Sequence, residues 1–211
     1  MATLVVVFFP FSSRIGYGLH RLWGIGLCKL TGIGVRVEGL ENLPRHQGVI
    51  LAPNHSSMFD MFILTRLPVN YRWISKEQIG KIPFIGWAMK AMGCYFVRRD
   101  HSDHDLKVVK QVEADLAKGA SICIFPEGTR TRTGELLPFK KGSFRIAQNA
   151  GVPMIPVALA GTYSIAPPGK LPRRYGHDVT IRIGKPFFIS PSQPLDQAVA
   201  QFRQQLIRLL G

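Results

Sequence analysis

Three things are scarce in this chain, and each scarcity removes a class of protein. Cysteine is the first: Cys28, Cys94 and Cys123 are the only three in 211 residues. They are odd in number and far apart, so no disulfide framework is expected and a reducing compartment is the default. Each reads as a small buried apolar residue. Acidic residues are the second, 13 against 27 Lys+Arg, which leaves a formal net charge of +14. Such a surface attracts polyanions, whether nucleic acid, an anionic membrane face or phosphorylated small molecules. The third is a long apolar run. Residues 1–11 are apolar, but a spanning helix needs about 20 such residues. Here Pro10 interrupts, and Ser12, Ser13 and Arg14 end the run. It also lacks the positive lead-in and small-residue cleavage site of a signal peptide.

What is present begins with the placement of the positive charge. Basic residues recur at Arg72, Lys76, Lys81, Lys90, Arg98 and Arg99, at Arg130, Arg132, Lys140, Lys141 and Arg145, and at Lys170, Arg173 and Arg174. Recurrence after successive elements describes a rim and not a tail. None of these clusters carries the aromatic and glycine pattern of a single-strand-binding sheet or a zinc-finger spacing, so nucleic acid is not expected as a partner. His101 and His104 stand beside Asp103 and Asp105, but no further ligand cluster joins them. They read as a solvated helix start, and no metal is expected. The hydrophobic fraction, 46%, suits one folded domain with a full core, and no internal repeat appears.

Residues 15–30 place Ile15, Leu19, Leu22, Trp23 and Leu30 near one helical face, while Gly16, Gly18, Gly24 and Gly26 make a poor soluble helix. The expectation is a monotopic anchor in the headgroup layer, with Trp23 near the interface. The alternative is an N-terminal element packed on the domain. Residues 1–33 are therefore expected to be a membrane-associating segment and 34–211 the functional domain. Beyond residue 34 strands and helices alternate. Strands are expected at 35–37, 48–52, 71–75, 94–97, 120–125, 154–160 and 179–183. Helices are expected at 58–67, at 76–92 with a break at Pro83, at 100–119, at 140–150 and at 197–210. In the third of these Ser102 should cap the start, with Asp105 reaching back to close a capping box. Residues 161–176 are a candidate mobile loop. This order predicts a single α/β domain with a largely parallel mixed sheet flanked by helices.

Two loops follow apolar strands, where such sheets bind ligands. The first is Asn54-His55-Ser56-Ser57-Met58-Phe59-Asp60. Positions five apart on a helix point about 140° away from each other. His55 and Asp60 can therefore pair only if His55 sits in the turn after Pro53 and Asp60 lies at the start of the next helix. Asp60 would then fix the tautomer, leaving the other ring nitrogen to take a proton. No Gly-x-Ser-x-Gly elbow surrounds Ser56 and Ser57, so helix capping is their expected role. A substrate hydroxyl can stand where a triad has its serine. The second loop is Phe125-Pro126-Glu127-Gly128-Thr129-Arg130. Gly128 permits a tight turn, Arg130 offers a planar fork suited to phosphate, and Glu127 can orient that arginine or accept from a hydroxyl.

These residues resemble the glycerolipid acyltransferases, specifically the bacterial 1-acylglycerol-3-phosphate acyltransferases. Four blocks similar to that family's occur in order: Asn54-His55 through Asp60, Gly93-Cys94-Tyr95-Phe96-Val97-Arg98-Arg99, Phe125 through Arg130, and Val152-Pro153-Met154-Ile155-Pro156-Val157. Lys76 matches a family lysine that helps bind the acceptor phosphate, and Gly184-Lys185-Pro186 is also similar. Many members carry Ser where Thr131 stands, which keeps the hydroxyl. The family's two-helix membrane motif has only a short, Gly-rich counterpart here. The resemblance implies transfer of a fatty acyl group from acyl-CoA or acyl carrier protein to the 2-hydroxyl of lysophosphatidate. It implies His55 as general base and Asp60 as its partner. Glu127, Gly128, Thr129 and Arg130, with Lys76, would hold the glycerol phosphate, and Arg98 and Arg99 would belong to an acceptor-binding block. It implies no cofactor beyond the acyl donor. The partners would be a lysophospholipid, the donor (acyl carrier protein included) and an anionic membrane surface at the cytoplasmic face, held peripherally or monotopically. Two alternatives stay open beside it: another lysophospholipid or lyso-aminolipid as acceptor, and a non-catalytic lipid-binding module.

Overall fold

The computed structural model describes residues 13–44, 47–100, 102–169 and 176–211. The apolar run 1–11, His101 and the basic positions Lys170, Arg173 and Arg174 lie outside the described residues.

The runs of apolar residues without alternation form the central strands, where both faces are covered. They are β2 (Ile50–Pro53), β5 (Ser121–Cys123) and β6 (Met154–Ala160), buried at nearly every position. Around them lie β1 (Ile33–Glu38), β3 (Tyr71–Lys76), β4 (Tyr95–Val97) and β7 (His177–Ile183). The seven strands form one sheet in the order β1-β7-β6-β2-β5-β3-β4. Every pairing is parallel except β6 with β7. The sheet is thus mixed and largely parallel, and it separates two cores. Leu51 of β2 faces one, with side chains from α1 (Ser13–Leu30), α2 (Asp60–Ile63) and α4 (Ile85–Ala91). Ile50 and Ala52 face the other, with α5 (Asp103–Ala117), α6 (Lys141–Ala150) and α7 (Leu195–Leu210). Alternate residues of one strand thus serve opposite layers.

Two elements differ from their expected form, for identifiable reasons. The helix expected at 58–67 is only α2, followed by a 3₁₀ turn at Leu64–Arg66. Residues 56–59 stay in a turn because the Asp60 carboxylate accepts from the amides of Ser56 and Ser57. The stretch 76–92 divides at Pro83, as expected, into α3 (Glu77–Gly80) and α4. In α5 the capping box does not form. Ser102 occupies the N-cap without a side-chain bond. Asp105 instead accepts from the amides of Arg98 and Arg99 at 2.7 Å each and of Asp100 at 3.2 Å. Bonds to an ionised acceptor are strong, and a reach back to the N-cap would forfeit them.

α1 settles where residues 15–30 pack. One side, carrying Tyr17, Gly24 and Cys28, is buried on the domain. A Cβ on Gly24 would lie 2.5 Å from Thr65 Oγ1, so that glycine is what lets the helix approach. The opposite side is apolar and uncovered, with Leu22 and Leu30 69% and 75% exposed. Among the described residues no helix is long and apolar enough to cross a membrane. The expected mobile loop is partly anchored: Thr162–Ser164 forms a 3₁₀ turn and Ile165 and Ala166 are buried, while 170–175 lie outside the described residues.

Candidate active site

β2 and β5 are parallel neighbours, so the two loops singled out in the sequence emerge side by side at the carboxyl edge of the sheet. They are tied together through one residue. The His55 amide donates to Glu127 Oε1 at 2.6 Å, and the His55 carbonyl accepts from the Thr131 amide at 2.9 Å. The histidine is thus held at both ends by the neighbouring loop.

His55 occupies the turn and Asp60 the first residue of α2, the arrangement that pairing over five positions demands. Nδ1 of His55 lies 2.8 Å from Asp60 Oδ2. The same oxygen accepts from the Ser56 and Ser57 amides, also at 2.8 Å, and Asp60 is fully buried. Two backbone donors hold the carboxylate in place against the ring. The imidazole also stacks on Phe125, with centroids 3.7 Å apart and planes 12° apart, and Phe125 stacks on Trp73. With Nδ1 bound and one face covered, Nε2 is the edge left for chemistry. Among the described residues no protein atom bonds to it.

The nearby hydroxyls are engaged elsewhere. Ser56 Oγ lies 2.7 Å from Thr162 Oγ1, and Ser57 Oγ accepts from the Phe59 amide. Neither serine caps α2, whose N-cap is Phe59. Ser57 fastens the turn, and Ser56 ties the loop to the 162–164 turn. A cavity of about 190 Å³ lies against His55, lined also by Asn54, Glu127, Thr131, Leu136, Gly161 and Tyr163.

Around this edge the cations are placed with unequal freedom. Gly128 adopts φ +72 and its amide returns to the Phe125 carbonyl, closing the turn that the glycine was expected to make. Arg99 donates to the Gly128 carbonyl at 2.8 Å, and Arg98 to Glu77 at 3.0 Å. Arg99 holds φ +68, a conformation rare for a side chain of its size. The Asp105 carboxylate on the amides of Arg98 and Arg99 maintains that corner. Lys76 is exposed at the end of β3, Thr129 is exposed and Arg130 is half-buried. Among the described residues neither Lys76 nor Arg130 has an ion-pair partner. Glu127 is placed differently from the arginine-orienting role considered for it. It is buried, and its oxygens accept from the amides of His55 and Leu137. Burial pushes its carboxyl pKa up, against those two amides, which favour the charged form.

Sequence reasoning missed four contributors. Phe125 stood in a quoted motif, but stacking is invisible to spacing. Asn54 exchanges two hydrogen bonds with the Leu159 backbone, at 2.7 and 3.3 Å, and so carries the β2–β6 pairing one step past Pro53. Asp105 was legible only as a cap. Lys140 lies over Gly128, where an added Cβ would come within 3.0 Å of its Cε. Among the described residues no group of three or more His, Cys, Asp or Glu side chains is placed to hold a metal ion.

A family model described as Acyltransferase matches residues 34–160. The chain is 41% identical over 192 residues to the chloroplastic 1-acyl-sn-glycerol-3-phosphate acyltransferase BAT2 of Brassica napus, covering 90% of this chain and 56% of that protein. It is 37% identical over 159 residues to a 1-acyl-sn-glycerol-3-phosphate acyltransferase of Pseudomonas aeruginosa, covering 73% and 62%. The chain thus spans somewhat over half the length of these curated relatives. The crystal structure of the 1-acyl-sn-glycerophosphate acyltransferase PlsC of Thermotoga maritima superposes with a TM-score of 0.80 at 28% identity, covering 91% of this chain and 77% of that one. With the matched span running from β1 through β6 and containing both loops of the site, the chain belongs to the acyltransferase family.

Proposed function

We propose that the protein transfers a fatty acyl group from acyl-CoA or acyl carrier protein to the 2-hydroxyl of lysophosphatidate, forming phosphatidate, with His55 as general base. The observation that carries this reading is the His55–Asp60 pair, with His55 lining a cavity and, among the described residues, no protein hydroxyl bonded to Nε2. A base so placed needs a hydroxyl from the substrate. Nε2 takes the proton as the substrate oxygen attacks the thioester carbonyl carbon. The tetrahedral adduct then collapses, the carbon–sulfur bond breaks, and the imidazolium returns its proton to the departing thiolate. Asp60 stabilises the imidazolium. General-base assistance of this kind is worth about 10²–10⁴-fold. Lys76 and Arg130 carry the acceptor phosphate, with Gly128, Thr129, Arg98 and Arg99 shaping the rim around it. Glu127 contributes by holding His55. The names of the relatives support lysophosphatidate as acceptor, and the +14 net charge suits a peripheral or monotopic seat on the anionic cytoplasmic face of a membrane. In this reading residues 34–211 are the acyltransferase domain, and 1–33 associate with the lipid.

The test is an acyl-transfer assay on the purified chain with lysophosphatidate and other lysolipids as acceptors, and acyl-CoA and acyl carrier protein as donors. Phosphatidate should form, and His55→Ala should lower kcat by about 10²-fold or more while leaving the melting temperature unchanged. Failure to acylate any lysolipid would remove the function, and a near-normal His55→Ala rate would remove the mechanism.

A further inference from the structure

We propose that the turn joining α3 to α4 is a second lipid-contacting element, separate from the N-terminal segment, which seats residues 82–87 in the headgroup layer of an anionic bilayer. Ile82, Phe84, Ile85 and Trp87 are each 40–49% exposed, so four large apolar side chains meet water within six residues. Phe84 and Trp87 pack on each other, ring centroids 5.3 Å apart, and neither belongs to a core cluster.

The backbone holds them outward. Gly86 presses against Gly80, where a Cβ would collide with the Gly80 carbonyl. The Gly86 amide returns to Ile82 O at 2.8 Å, closing α3 and α4 into a hairpin. Phe84 at the tip has φ +63 and ψ −53, a strained conformation for a residue with a side chain. The fold thus maintains a strained aromatic at an exposed tip, where it contributes nothing to a core.

The surroundings point to lipid and not to a protein partner. Exposed Lys81 and Lys90 flank the apolar tip, and among the described residues Lys81 pairs only with Glu77, at 3.7 Å. An aromatic wedge with a lysine collar matches a headgroup layer: rings below, ammonium groups at the phosphates. The hairpin also continues directly from Lys76, the N-cap of α3. Its other neighbour is α1, whose Gly16 faces Met92 just past α4 and whose outward side is apolar. The inference rests on the proposed function only in taking the acceptor to be a lipid, and binding can be measured without any turnover.

The test is flotation of the full chain with phosphatidylglycerol–phosphatidylethanolamine vesicles. The parent should float, less so at high salt. Phe84→Ser/Trp87→Ser should float severalfold less, with an unchanged melting temperature and unchanged transfer to a short-chain, water-soluble lysophosphatidate. Leu106→Ser, which removes an exposed apolar residue on α5, should float like the parent. Brominated lipids should quench the parent's tryptophan emission more than that of Trp87→Phe. A parent that does not float, or a double variant that floats equally well, overturns the inference. So does a double variant that only dissociates a dimer, or one that loses activity on the soluble acceptor. A parent that floats but acylates no lysolipid overturns the proposed function and leaves this inference standing.

Discussion

Glu127 commits both carboxylate oxygens to backbone amides, and its consequence for His55 can be measured. Replacing it with Gln keeps one acceptor but turns an NH₂ group toward a buried N–H. Leaving such groups unpaired costs about 1–3 kcal/mol. Glu127→Gln should therefore lower the melting temperature and reduce kcat about 10–100-fold, since a base displaced by a fraction of an ångström loses its reach. Its KM for the acceptor should stay within about threefold of the parent's. Steady-state kinetics over acceptor concentration will decide; a raised acceptor KM at unchanged kcat would mean that the carboxylate touches the acceptor and not the base. The residue scale is also where legibility divides most clearly. His55 and Asp60 are five positions apart, and local helix geometry alone stated how they must sit to meet. Glu127 binds a peptide amide 72 positions away, and an amide has no side-chain identity to read. Asp105 misled for the same reason: its three acceptor bonds go to a corner that only the folded chain brings to it.

Among the elements, α1 carries a group that reports on its docking. His20 lies on the helix between Tyr17 and Trp23. Burial pushes its pKa down from 6.5 to about 4. Below pH 6.5 the unfolded chain takes up a proton that the folded chain refuses. The stability associated with a neutral His20 is therefore complete above pH 6.5 and is lost as the pH falls toward 4, by up to about 3 kcal/mol. His20→Leu should flatten the dependence of melting temperature on pH across that window relative to the parent, and a parallel curve would place His20 in water. The element also explains how far periodicity could be read. The stripe of Leu19, Leu22, Trp23 and Leu30 was legible as one face. Which face the domain covers was not, because beside Tyr17 the contact is made through small residues: Gly24 closes on Thr65 where a hydrophobic count registers nothing. The helix packs on the domain by one side, as the second reading of this stretch has it, and leaves its apolar side uncovered; the anchor stays a proposal. The central strands needed no such help. Continuous apolar runs ended by Pro or turn residues left little alternative to buried parallel strands.

For the whole molecule, the distribution of exposed apolar surface on a chain of net charge +14 leads to a prediction that leaves the fold alone. Leu22→Ser/Leu30→Ser changes only the outward side of α1, so the melting temperature should hold while flotation on anionic vesicles falls severalfold; unchanged flotation would remove α1 from the lipid contact. The largely parallel sheet could be anticipated from the alternation of strands and helices. Its one antiparallel step, β6 to β7, could not, because it depends on a long connection whose path no local pattern dictates. That step has a consequence in time. Among the described residues β1 is an edge strand whose only partner is β7, and Glu38 waits for Arg182, 144 positions later. At ribosomal speeds of about 5–20 residues per second, β1 and the helix before it emerge some ten seconds, in order of magnitude, before the strand that completes their side of the sheet. In the proposed lipid-seated reading, the uncovered side of α1 can therefore meet a lipid surface before the sheet exists, while the rest of the chain is still being made.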